Sequence, residues 1–167
     1  MASTLTVDNI VGATTAANVN LPGAVVQSVQ YHRPGLLTSM NSLAVLDSAT
    51  FVDIMSKTIT TKFANSKIYV AMGFVAYDNS NNARAMVKIL RGSTQIDADR
   101  YAIYCPSSVM TNYQVALLDS PSASAGTTLT YKLQAARQTG SSTSLAIGYG
   151  DSGGGSSASI ILMEIAQ

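Results

Sequence analysis

From residue 24 onward, apolar side chains recur at every second position. Val25, Gln27, Val29 and Tyr31 alternate with Ala24, Val26, Ser28 and Gln30, and Ile68, Val70, Met72 and Phe74 share one face of the run from Lys67 to Tyr77. A repeat of two belongs to a strand, whose successive side chains point to opposite faces. The same pattern predicts strands over 51–55 running on to 57–60, and over 85–90, 111–118, 128–134, 144–149 and 158–165, with a weaker one in 95–104, eight or nine in all. Residues 36–50 read equally well as loop or strand. Between the strands stand Asp78-Asn-Ser-Asn-Asn82, Arg91-Gly-Ser-Thr94, Asp119-Ser-Pro-Ser122 and Asp151-Ser-Gly-Gly-Gly155, which are turn formers rather than helix caps. No segment sustains a three-to-four-residue apolar repeat. Short strands at this spacing predict an all-β fold, an antiparallel β-sandwich or jelly roll, with 24–167 forming one knob domain.

Residues 1–23 differ. They carry two small apolar clusters, Leu5/Val7 and Ile10/Val11, then small polar residues and a Pro22-Gly23 turn signal. That is too little apolar surface to close a core, while ordering each backbone residue costs roughly 1–2 kcal/mol. The expectation is an extended N-terminal arm that holds its shape only by docking on something, with Leu5, Val7, Ile10, Val11 and Leu21 as the anchoring side chains.

Composition sharpens this picture. Only 11% of the 167 residues are charged, against about 25% in an average soluble chain. Ser, Thr and Asn fill 46 positions instead, and Glu164 and His32 are the only residues of their kinds. A net charge of +1 is far from the basic excess that phosphate-backbone binding needs, so nucleic acid is not an expected partner. No apolar run approaches the ~20 residues of a membrane-spanning helix, and the start lacks the basic and apolar regions of an export signal. Cys105, alone, forms no disulfide within the chain. A small isolated domain usually relies on about 25–35% charged surface residues to stay soluble, and charge is depleted at interface centres. Much of this exterior is therefore expected to be covered by copies of the chain or by another protein. The alternative is a monomeric, Ser/Thr-rich β-protein.

Reactive groups are sparse. Gly150-Asp-Ser-Gly-Gly154 resembles the nucleophile segment of chymotrypsin-like proteases, but Ser152 would need a base, and the setting of His32, Gln30-Tyr-His-Arg-Pro34, does not match that family. Cys105 lacks a visible activating partner. Asp97 and Asp99 offer two carboxylates where a calcium ion wants six to eight oxygens. No catalytic residue, metal ligand or cofactor is expected. Tyrosines near strand ends, Tyr113 and Tyr149 among them, could stack on a sugar ring or simply pack half-buried.

Several segments together resemble one family. Thr4-Leu-Thr-Val-Asp8, the strand entry Ser66-Lys-Ile-Tyr-Val70, the turn Leu118-Asp-Ser-Pro121 followed by Thr130-Tyr-Lys-Leu-Gln134, and the ending Ser159-Ile-Ile-Leu-Met-Glu-Ile-Ala166 look like the jelly-roll structural domain of tailed bacteriophages, found in tail-fibre-like, head-fibre and capsid-decoration proteins. The resemblance covers nearly the whole chain. It implies a homotrimer on a virion, with the major capsid protein or another virion protein as partner, and it brings no catalytic residues. An arm of 23 residues reaches at most about 80 Å, and no heptad or repeat precedes the knob to serve as a shaft. A capsid decoration or cement role on the shell surface is therefore expected. The alternative is a tail-fibre or adhesin tip that binds host surface polysaccharide, a glycan partner contacted through Tyr113 and Tyr149.

Overall fold

A computed structural model of the chain describes residues 21–32, 44–46, 48–78, 83–97, 101–106, 108–138, 145–148 and 158–167. Among these residues lie eleven strands and no helix: β1 (Val25–His32), β2 (Ala44–Leu46), β3 (Val52–Thr60), β4 (Lys67–Asp78), β5 (Ala83–Arg91), β6 (Thr94–Gln95), β7 (Tyr101–Cys105), β8 (Val109–Asp119), β9 (Thr128–Arg137), β10 (Leu145–Ile147) and β11 (Ala158–Ile165). The expected eight or nine strands are corrected upward. The 95–104 stretch divides into β6 and β7, and the ambiguous 36–50 segment contributes the three-residue β2.

The strands form two antiparallel sheets, as a β-sandwich or jelly roll requires. β4 is the spine of the six-stranded sheet. β8 pairs along one side of it, while β11 and then β10 pair along the other; β1 lies beyond β11 and β2 beyond β10. The five-stranded sheet runs β3-β9-β5, with β6 and β7 sharing the free side of β5. The chain changes sheets between β2 and β3, β3 and β4, β4 and β5, β7 and β8, β8 and β9, and β9 and β10, so these neighbours in sequence lie on opposite sides of the core.

Alternation decides what fills that core. On β4 the residues Ile68, Val70, Met72, Phe74 and Ala76 are all buried, and β11 adds Ala158, Ile160 and Leu162 from the same sheet. The opposing sheet supplies Ala85, Val87 and Ile89 from β5 and Tyr131, Leu133 and Ala135 from β9. A bulge between Asp53 and Met55 in β3 adds one residue to the strand, and both Ile54 and Met55 are buried beside it.

The Pro22-Gly23 signal is a turn in fact. The Ala24 amide donates to the Leu21 carbonyl (2.9 Å), and Gly23 sits at φ +84°. Proline first and a positive-φ glycine second is the type II arrangement, which a β-carbon at the second position would strain. The Gly23 amide also donates to the Ala166 carbonyl (2.8 Å). The start of β1 is thereby tied to the end of β11.

Candidate interaction surface

The two outer faces of the sandwich are chemically opposite. On the five-stranded sheet the outward positions include Thr58, Thr60, Thr128 and Thr130, then Asp53, Lys132 and Gln134, then Arg84 and Lys88, with Met86, Leu90 and Ala136 among them. The Asp53 carboxylate accepts from Lys132 Nζ (2.9 Å) and Gln134 Nε2 (2.6 Å), and these bonds hold it below the usual aspartate range. Lys88 lies over the Phe51 ring at 4.2 Å. This is a hydrated face with short-range charge pairing, of the kind that contributes little net stability.

The outer face of the six-stranded sheet has no such groups. Register places Leu118, Tyr69, Met163 and Ser28 in one cross-strand row, Ala116, Ala71, Ile161 and Gln30 in the next, and Gln114, Gly73, Ser159 and His32 in a third. Lys67, at one end beside Ile165, is the only Lys, Arg, Asp or Glu pointing outward from β1, β4, β8 and β11 among the described residues. Leu118 is 52% exposed and Val25, beside Ile165, is 55% exposed. Leu21, at the turn entering β1, is 54% exposed at the same end. β8 pairs with β4 alone among the described residues, so its other edge presents eleven residues of backbone without a lysine or proline to blunt it.

Two acids, Glu164 and Asp119, are turned inward and satisfied. The chain's one glutamate, Glu164, is fully buried on the inner side of β11. Its carboxylate accepts from the backbone amides of Lys62 (2.9 Å) and Phe63 (3.0 Å) and from the Gln27 and Ser66 side chains. Burial alone would raise its pKa, but these donors outweigh burial and hold it below the ordinary glutamate value. At the end of β8, Asp119 receives Arg91 from β5 (2.6 Å) and the Tyr131 hydroxyl from β9 (2.6 Å), which bolts the two sheets together. Burial, and then donation to the Asp119 carboxylate, push the Tyr131 hydroxyl far above the usual tyrosine range. Neither Tyr131 nor the buried role of Glu164 is legible from periodicity, because a polar residue on an inward register looks like a break in the pattern.

Of the anticipated anchoring side chains, Leu21 is exposed at the end where the chain enters β1, whereas Leu5, Val7, Ile10 and Val11 lie outside the described residues, as do Tyr149, Asp99 and Ser152. Tyr113 stacks on Phe74 (5.8 Å between centroids, 21° between planes), accepts from the Tyr104 amide (3.0 Å) and donates to the Tyr104 carbonyl. It faces the core and grips Tyr104, and it is Tyr104 that stands 48% exposed with the Arg84 guanidinium 5.7 Å from its ring. Arg84, Ile103, Tyr104 and Gln138 line an open hollow of about 330 Å³. Cys105 is buried and its thiol donates to the Val109 carbonyl (3.2 Å). Asp97 is buried, with one carboxylate oxygen accepting from the Ile89 amide (3.1 Å) and the other without a partner among the described residues. Among the described residues, no three His, Cys, Asp or Glu side chains converge into a metal-holding group.

No protein-family model matches the chain, and no curated protein sequence does. Solved structures are similar in fold. The VP2 subviral particle protein of infectious bursal disease virus superposes with a TM-score of 0.55 at 11% identity, covering 85% of this chain and 34% of its own. The structure of the Gx strain of the same virus gives 0.50 at 9% identity, covering 82% and 32%. The chain thus spans about a third of the length of the solved structures it matches. At such identities the likeness is one of fold.

Proposed function

We propose that the chain is a virion structural protein: a homotrimeric decoration or cement knob, fixed to the shell through residues 1–23 and stabilising it. The observation that carries this reading is the outer face of the six-stranded sheet, nearly free of charge and joined at one end to the exposed Leu21 and Val25 where the leading segment enters. A face of that kind is matched to a protein surface and unsuited to open water. The fold agrees, since it is similar to that of a viral particle protein. The resemblance of several segments to tailed-phage jelly-roll domains supports a virion of that class.

The test is particle stability. Binding that favours the intact shell raises its resistance to heat by mass action, so particles stripped of the chain should release their contents at a lower temperature and recover on adding it back. Deleting residues 2–21 should abolish recovery while leaving the knob folded. Unchanged release temperatures contradict the cement role.

A second reading, an adhesin tip, is favoured by Tyr104. Its exposed ring, the neighbouring Arg84 and Gln138, and the open hollow offer a flat platform flanked by donors, the usual equipment for a sugar. Tyr113 supports that platform from beneath, and Tyr149 belongs to the same reading. Tyr104→Ala should abolish binding of the isolated protein to extracted host polysaccharide; absence of binding by the wild type rejects the reading.

A further inference from the structure

Resting on the virion reading above, we propose that the outer face of the six-stranded sheet is the surface that copies of this chain bury against one another, each turning it inward toward its sisters. The occupant follows from the distribution of charge. In a symmetric assembly, a net charge on the inward face is repeated on every sister face, and like charges brought together are unfavourable. A face that docks a different protein carries no such penalty, because the partner can supply the opposite sign. Here, among the described residues, Lys67 at one end is the only Lys, Arg, Asp or Glu that points outward from β1, β4, β8 and β11, while Tyr69, Leu118, Ile161 and Met163 fill the rows beside it.

Size sets the strength. Four strands at about 4.8 Å spacing and about eight residues at about 3.3 Å each cover roughly 500 Å², below the about 800 Å² per partner of a standard interface. The isolated chain therefore associates weakly, and a particle surface that concentrates it completes the assembly.

Sedimentation equilibrium of the full chain from 5 to about 500 µM tests this. The apparent mass should rise with concentration. Met163→Lys, which repeats a positive charge around the symmetry axis, should weaken association about tenfold or more, and Met163→Gln should weaken it less. Thr58→Lys on the opposite outer face should leave it unchanged. Circular dichroism melts confirm that each variant is folded. A wild type that stays monomeric throughout, or a folded Met163→Lys that associates like wild type, overturns the inference. If the wild type is monomeric yet binds stripped particles, and Met163→Lys abolishes that binding, the face belongs to the shell protein; the inference then falls while the virion reading stands. Self-association by a chain that binds no particle does the reverse.

Discussion

Glu164 shows at the scale of one residue how this molecule handles charge. It is the chain's only glutamate, and it is buried where two backbone amides and two side chains meet it. Its folded pKa lies below the unfolded value of about 4.3, so its contribution to stability is present at pH above that value. The contribution fades as the pH falls through the folded value, because the unfolded chain takes up the proton first. Glu164→Gln should cost about 1–3 kcal/mol near neutrality by leaving amide donors poorly matched. In urea titrations from pH 7 to pH 3, the gap between wild type and variant should shrink as the pH drops; a constant gap would contradict this role. Gly73 is the opposite case. It sits in β4 with ordinary strand backbone, and a β-carbon there would meet only Ser159 Oγ at 3.4 Å and the Tyr113 carbonyl at 3.9 Å. Gly73→Ala should fold normally and gain up to about 1 kcal/mol by restricting the unfolded chain, read as a small rise in melting temperature.

For the strands, periodicity was a good guide wherever the strand is long. β4 and β11 alternate cleanly because each has one face in the core, so the sequence-derived inner set Ile68, Val70, Met72 and Phe74 matches the buried set. The reading loses resolution where strands shrink to two or three residues. β2 and β6 are too short to show a period, and they exist because β10 and β5 offer them a neighbouring edge. Site residues were less legible than strands. Exposure of Tyr104 rather than Tyr113 depends on which register of β7 and β8 faces inward, and the nearly charge-free face emerges only when four strands distant in sequence are laid side by side. β11 provides the sharpest test of this alternation. Leu162→Ala, on the inner side, should cost about 2–5 kcal/mol. Ile161→Ala, its immediate neighbour on the outer side, should cost less in denaturant unfolding but weaken association between copies.

Taken whole, the molecule segregates its surfaces. Among the described residues, one outer face carries threonines and paired charges, the other is nearly uncharged, and Asp97, Asp119 and Glu164 are buried. A net charge of +1 adds little repulsion between copies. The proposed assembly among copies would account for 46 Ser, Thr and Asn residues standing in place of the usual charged coat. The most direct test is the density of the chain on an intact particle, determined at a resolution that separates strands. The account predicts copies grouped on the shell with the β1-β11-β4-β8 face buried between sister sandwiches and residues 1–23 descending into the particle. Solitary sandwiches with that face turned to solvent, or particles from which the chain is missing, would contradict it.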